Sequence, residues 1–363
     1  MRFRSPPPVP TLHQLSAGFR LGDAISNECV TIRDVCAAHG LASEIWSPAP
    51  NVWEPDRHLT RDVEELPAAV RPDDVALLHL SIGSRCNEIF PALPCRKVIL
   101  YHNVTPAFYF ERLDPDKARV LEEGRRQVAA LKDAADDVWA VSAFNAAELR
   151  ELGFREPKVF PFVFGASLGG GATDDVLYPM LVDPPFANLL FVGRLVPNKR
   201  HDRLLRIFAA YQKHVRGDSR LVVVGGSGGM EMYKALLMGT ARELGLRNVL
   251  FAEFVDDLKL RSCYAAASAF VCASDHEGFC VPLLEAMAWH IPVFANAAGA
   301  VPETLDGAGV LFSPSAPPEA VAETIGRVLG DPALRAAVVK RQDERVARFL
   351  ARDPWPDIRS LFA

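Results

Sequence analysis

Short apolar runs alternate with longer amphipathic ones along almost the whole chain, and this alternation limits the fold more than any other feature. The short runs lie at residues 42–46, 75–80, 96–101, 137–141 and 158–163. They resume at 188–192, 220–225, 248–251, 269–273 and 291–295. Their length and β-branched content predict strands. Between them, helical periodicity covers 27–39, 115–134, 143–152, 202–214, 231–244, 258–266, 282–290, 318–330 and 332–349. Strand–helix alternation predicts an α/β protein with parallel, doubly wound sheets. Such sheets bind ligands at the carboxyl ends of their strands, so Gly22, Gly83, His102 and Ser142 fall on one rim. The proline-rich first 12 residues read as loose or edge-like, and Gly22 and Ser26 as the hinge and cap of the first helix.

The alternation breaks at Gly165-Ala-Ser-Leu-Gly-Gly-Gly-Ala-Thr-Asp174, with Pro179, Pro184 and Pro185 beyond it. This composition reads as an interdomain linker, the alternative being a long surface loop within one domain. With 363 residues the chain is comfortable for two domains. The expected division is 1–165, a linker at 166–185, and 186–349. Asp353-Pro-Trp-Pro356 ends the last helix, and a tail of about 350–363 is expected to pack back on the first domain. A net charge of −5 gives no footprint for nucleic acid. No run approaches the roughly 18 apolar residues of a spanning helix, and the start lacks the apolar core of a signal peptide. Seven irregularly spaced cysteines without a C-x-x-C predict small buried fillers in a reducing cytoplasm, with neither zinc nor disulfides.

Three stretches carry chemistry. In Phe191-Val-Gly-Arg-Leu-Val-Pro-Asn-Lys199 a strand ends at Gly193, and Arg194 and Lys199 follow within one loop. A planar fork and a point charge together suit a diphosphate, although two solvated basic residues are equally consistent. Gly225-Gly-Ser-Gly-Gly229 also follows a strand, but lacks the spacing of a nucleotide loop and reads as a tight turn. Ser274-Asp-His-Glu-Gly-Phe-Cys-Val-Pro-Leu-Leu-Glu285 joins a buried strand to a helix, with Glu277 in the turn and Glu285 expected in the first helical turn. Helix-start amides attract an anion, and two carboxylates accept from hydroxyls, so a phosphorylated sugar fits. Surface carboxylates at a helix start would look the same. His102 ends a strand, where a histidine is either functional or bonded to backbone; His79 and His276 are weaker candidates. Asp136-Asp137 and Asp256-Asp257 read as caps or solvated turns.

Gly193-Arg194 with Lys199, then Glu277-Gly-Phe279 with Glu285, resembles the retaining glycosyltransferases of family 4, the glycosyl transferases group 1, of GT-B fold. Gly299-Ala-Val-Pro-Glu303, Gly309-Val-Leu-Phe312, Asn248-Val-Leu-Phe251 and Val141-Ser-Ala-Phe-Asn-Ala-Ala-Glu-Leu149 are similar to it as well. The likeness is dense over 138–312 and looser before.

The resemblance implies two Rossmann-like domains facing each other across a cleft. It implies that Gly193, Arg194 and Lys199 bind the donor diphosphate, and that Glu277 and Gly278 meet the transferred sugar. The amides of Phe279, Cys280 and Val281 would face sugar or phosphate, Glu285 the ribose, and Phe254 and Val255 the base. His102 would face the sugar, and the Gly22 loop the phosphates and acceptor. Two departures stand out: Leu21-Gly-Asp-Ala24 lacks the usual paired glycines, and Cys280 replaces a common glycine. No metal or other cofactor is expected, the fixed positive groups replacing a divalent ion. The implied reaction moves a hexose, mannose from GDP-mannose as first expectation, from a nucleotide diphosphate sugar to a glycan or lipid-linked oligosaccharide of the cell surface. Arg2, Arg4, Arg20 and Arg33 suggest a membrane-facing patch on a cytoplasmic protein, or are simply solvated. Two other readings are a sugar-nucleotide epimerase, whose carboxylate and histidine set is not found, and a non-catalytic nucleotide-sugar-binding scaffold.

Overall fold

The computed structural model describes residues 9–164, 168–253 and 255–363. Thirteen strands among them form two wholly parallel sheets. The first sheet contains β1 (Thr11–Ser16), β2 (Ala42–Ser47), β3 (Arg61–Asp62), β4 (Val75–Leu80), β5 (Arg96–Tyr101), β6 (Asp137–Ala140) and β7 (Lys158–Val159), in the order β3-β2-β1-β4-β5-β6-β7. The second contains β8 (Ala187–Val192), β9 (Ser219–Val224), β10 (Val249–Ala252), β11 (Ala269–Cys272), β12 (Val293–Asn296) and β13 (Val310–Phe312), in the order β10-β9-β8-β11-β12-β13. In each sheet the chain winds outward from its first strand, then returns beside that strand and winds the other way. The switch points lie between β1 and β4 and between β8 and β11. Crevices beyond the carboxyl ends of such strand pairs are where ligands bind.

Parallel sheets are covered on both faces, so their strands are apolar throughout. Every residue of β4, Val-Ala-Leu-Leu-His-Leu, is buried, as are all four of β11 and of β12. The strand β1 begins at the end of the stretch expected to be loose: Thr11–Ser16 is an inner strand of the first sheet, and five of its six residues are buried, while residues 1–8 lie outside the described residues. Its polar side chains are satisfied inside. Trp46 Nε1 donates to His13 Nδ1 at 3.0 Å, and His13 Nε2 meets Asp74 Oδ2 at 3.3 Å. Gln14 Nε2 donates to Cys29 O at 2.9 Å and to Ser43 Oγ at 3.0 Å. Paired in this way, polar groups tolerate burial.

Other boundaries differ from expectation for local reasons. The first helix is Ala24–Ala38, and its cap is Asp23, whose carboxylate accepts from Ser26 N; Ser26 sits inside the helix and its hydroxyl accepts from Arg20 N at 3.1 Å. The strand expected to reach 163 stops at Val159, because Pro161 has no amide to continue the ladder. The expected linker holds a short helix, Leu177–Val182, and residues 165–167 lie outside the described residues.

The chain divides into two compact units. One comprises Met1–Pro106, Arg119–Gly165 and Arg352–Ala363; the other Ala107–Ala118 and Ala166–Ala351. Residues 107–118, inside the span expected for the first domain, thus group with the second unit, as do the linker residues. The seven cysteines are buried and unpaired. Among the described residues, no helix is long and apolar enough to cross a membrane.

Candidate functional site

At the switch point of the second sheet, the loop after β8 meets the loop after β11. Lys199 ends a single 3-10 turn, Pro197–Lys199, and its Nζ lies 2.7 Å from both oxygens of Glu277. Burial disfavours the lysine's charge, but the Glu277 carboxylate outweighs it and the pKa is raised. The two loops are braced by further bonds. Asp275 N donates to Asn198 O at 2.9 Å, and Asn198 Nδ2 to His276 O at 3.1 Å. Arg200 Nη1 reaches Asp275 Oδ2 at 2.6 Å, and Asn296 Nδ2 reaches Asp275 Oδ1 at 3.1 Å.

Close backbone approach explains two glycines. A Cβ on Gly225, at φ 145°, would stand 2.1 Å from Gly193 O. One on Gly299, at φ 57°, would stand 2.6 Å from Glu277 O, whose carbonyl accepts from Ala300 N at 3.0 Å. The glycine-rich stretch after β9 is therefore the tight turn that the sequence suggested, pressed against the loop carrying Arg194.

Arg194 is exposed. The half-buried Lys117 has its pKa lowered by burial and then by the charge of Arg194, so a third cation belongs to this region. Nothing in the spacing around Lys117 marks it, because it comes from the 107–118 excursion.

The helix after β11 is Val281–Ala288, with Pro282 in its first turn. Its cap, Cys280, takes φ 73° and ψ 65°, a left-handed conformation that favours glycine. Glu285 is the fifth residue of the helix and so just past the first turn where it was expected, because the helix begins at Val281, one residue earlier than expected. Its Oε2 accepts from Tyr264 OH at 2.6 Å, a partner that its helical periodicity does not announce. Burial raises the Glu285 pKa, and the Tyr264 bond opposes the rise. Gly278 and Phe279 stand in the loop before Cys280, and Val281 is the first residue of the helix. Val255 is half-buried near the start of the helix Asp257–Ala265, and Phe254 lies outside the described residues. Asp256 caps that helix by accepting from Lys259 N at 2.9 Å, and Asp137 pairs with Arg96 at 2.9 Å.

Cys272, Glu277 and Cys280 bring potential metal-binding atoms within 4.8 Å of one another, the two sulfurs 3.9 Å apart. Both Glu277 oxygens are bound to Lys199, so an ammonium already supplies the positive charge there.

In the first unit, Gly22 has φ 90°, and its amide donates to Asn27 Oδ1 at 3.0 Å. His102 follows β5 and is buried; its amide donates to Leu80 O at 2.9 Å. Its Nε2 lies 3.1 Å from His79 Nδ1, and His79 Nε2 lies 3.1 Å from Gln14 Oε1. Burial lowers the pKa of both rings, His79 to about 3. The carboxyl of Glu28 stands beside them, with Oε2 3.5 Å from His102 Nε2. Glu28 and Gln14 escaped the sequence reading, Glu28 as an apparent surface residue of a helix and Gln14 within a strand that looked like a loose terminus. Of the arginines suggested as a membrane patch, Arg20 lies over the Trp53 ring at 4.5 Å and Arg33 meets Asp34 at 3.8 Å; Arg2 and Arg4 lie outside the described residues.

Comparison with known proteins gives a consistent set. Residues 183–345 match the family model for glycosyl transferases group 1. The D-inositol 3-phosphate glycosyltransferase of Actinosynnema mirum is 33% identical over 235 residues, 62% of this chain and 56% of that protein. The GDP-mannose-dependent alpha-(1-6)-phosphatidylinositol monomannoside mannosyltransferase of Mycolicibacterium smegmatis is 31% identical over 250 residues, 59% of this chain and 64% of that protein. The chain thus spans less than two thirds of either relative's length. The crystal structure of Anabaena Alr3699/HepE in complex with UDP-glucose superposes with a TM-score of 0.70 at 18% identity, over 93% of this chain and 94% of that one. Residues 183–345 thus resemble the glycosyl transferases group 1 family, and the two parallel sheets have the GT-B fold.

Proposed function

We propose that this protein is a retaining glycosyltransferase that moves a hexose from a nucleotide diphosphate sugar to a glycan or glycolipid acceptor without a metal ion. The Lys199–Glu277 pair carries this reading, since it sits at the switch point between β8 and β11 where a ligand is expected. Lys199 and Arg194, with the amides at the start of the helix Val281–Ala288, stabilise the charge that develops on the departing diphosphate. Glu277 is held by Lys199 as an acceptor for hydroxyls of the transferred sugar. Tyr264 holds Glu285 as an acceptor for the ribose. In the first unit, His102 is the residue assigned to the sugar and the Gly22 loop to the phosphates and acceptor.

The bond from the anomeric carbon to the diphosphate oxygen breaks, and one to the acceptor oxygen forms on the same face. The acceptor's proton passes to the departing phosphate oxygen, without a protein base. GDP-mannose is the first donor to try: one relative is named for it, and the Anabaena structure holds UDP-glucose. A lipid-linked acceptor would place the protein at the inner face of the membrane.

The test is a thermal-shift screen against GDP-, UDP- and ADP-hexoses, followed by transfer and nucleotide-release assays with the best binder. A ligand at 100 times its Kd adds about 2.7 kcal/mol of stability. If no nucleotide sugar raises the melting temperature, the reading fails. If one binds but no nucleotide is released, with or without acceptor, the protein is a binding scaffold.

A further inference from the structure

The buried set around His102 has a proton order that its hydrogen bonds determine. Gln14 Nε2 donates to the backbone carbonyl of Cys29, which can only accept, so the amide orientation is settled and Oε1 faces His79. His79 Nε2 must therefore carry a proton. With its pKa pushed down to about 3 by burial, His79 is neutral and its Nδ1 is a bare acceptor. His102 Nε2, 3.1 Å away, must then be the donor. His102 is also neutral, its pKa lowered by burial and by His79, so its Nδ1 has no proton. That nitrogen is buried and has no hydrogen-bond partner among the described residues.

Glu28, His79 and His102 have the composition of a metal site, but the rings are arranged otherwise. Their planes lie 15° apart and their centroids 5.3 Å apart. Two ring radii added to the 3.1 Å between nitrogens account for nearly that whole distance, so the nitrogens meet head-on. Lone pairs that converge on a common ion would not do so. Glu28 Oε1 accepts from Val163 N at 3.0 Å, while Oε2 lies 3.8 Å from His79 Nδ1 and has no partner among the described residues.

We propose that Gln14 and His79 are positioning residues that hold His102 as the uncharged Nε2–H tautomer, so that it meets the substrate through a bare Nδ1 that accepts a hydroxyl proton in a hydrogen bond. This rests on the assignment of His102 to the sugar. It deepens that assignment by making the histidine an acceptor and not an acid.

The experiment uses the full chain with 15N-labelled histidine, first without ligand. Long-range nitrogen–proton correlation at pH 7 is expected to show both His79 and His102 protonated at Nε2 only. His79→Leu should mix the His102 tautomers and raise its pKa, and should lower kcat/KM with the best donor about 10- to 100-fold. His79→Asn, whose side-chain oxygen can stand where Nδ1 stood, should restore the single tautomer and bring kcat/KM back to within a few-fold of wild type. Circular dichroism checks that both variants fold. A proton on His102 Nδ1 in the wild type, or an unchanged tautomer in a folded His79→Leu protein, overturns the proposal. So does one equivalent of zinc shifting the nitrogens of both rings together. If the tautomers are as expected but His102→Ala transfers sugar at the wild-type rate, the relay stands and the substrate contact falls. A protein with the expected tautomers but no nucleotide-sugar binding fails instead on the proposed function.

Discussion

Lys199 and Glu277 each make the other tolerable at 2.7 Å, in a place where the carboxylate is almost wholly buried. Removing the lysine leaves that carboxylate without its cation, and the cost of stranding a buried hydrogen-bonding group is about 1–3 kcal/mol. Lys199→Ala is expected to lose that much in urea unfolding. A Lys199→Ala, Glu277→Ala double variant should lose less than the sum of the singles, because it strands nothing. Transfer by Lys199→Ala should fall about 10²- to 10³-fold, as when one preorganised group is taken from a developing negative charge. Both acids and both cations of this site were legible because they lie in short motifs after strands. Tyr264 was not, since its bond to Glu285 joins two elements that only the packed sheet brings together. Cys280 illustrates a milder gap. Its departure from glycine was visible in the sequence, whereas the left-handed backbone that favours glycine there appears only in the structure.

At the level of elements, the site depends on strand-end loops coming closer than side chains allow. Gly225 faces Gly193 O, so Gly225→Ala must either clash or displace the loop that carries Arg194. A methyl at 2.1 Å from a carbonyl oxygen, on a backbone with positive φ, is expected to cost about 2–4 kcal/mol. Donor affinity should weaken with it, at least tenfold by calorimetric titration. Wild-type stability and affinity in Gly225→Ala would show that the loop contact is dispensable. The apolar strands were legible from their runs alone, with β4 and β5 matching residue for residue. The strand β1 was hidden because Thr-Leu-His-Gln-Leu-Ser carries its polar groups inward, and the partners that satisfy them, Asp74, Trp46, Cys29 and Ser43, are remote in sequence. The excursion 107–118 shows no periodicity from which its grouping with the second unit could be read.

Across the whole molecule, stability should depend on pH through buried groups in both units. His79 and His201 have pKa values lowered to about 3 by burial, and His102 is lowered as well. Each stays neutral in the folded protein while the unfolded chain takes up a proton below about 6.5. They therefore stabilise the fold above that pH, and the contribution is lost as pH falls through the folded pKa. Glu28 acts in the opposite sense. Burial raises its pKa to about 8, against the Val163 amide and the charge of Arg352, and the two histidine rings beside it are neutral. Its contribution is present below the unfolded value of 4.5 and lost as pH rises through 8. Between 4.5 and 6.5 the three histidines outnumber the one acid, so stability rises with pH. From 6.5 to 8 only Glu28 still changes among these four, and stability should fall by about 2 kcal/mol at 1.36 kcal/mol per unit. Chemical unfolding from pH 5 to 9 is therefore expected to give a maximum near 6.5. Glu28→Gln, which can neither gain nor lose the proton, should flatten the alkaline limb and steepen the acid limb, because the histidines then act unopposed. A wild-type curve that stays level from 6.5 to 8 would mean that Glu28 is ionised in the folded protein. In that case its Oε2 would accept from His102 Nε2 alongside His79 Nδ1, which keeps the proton on Nε2 and leaves the inferred tautomer in place.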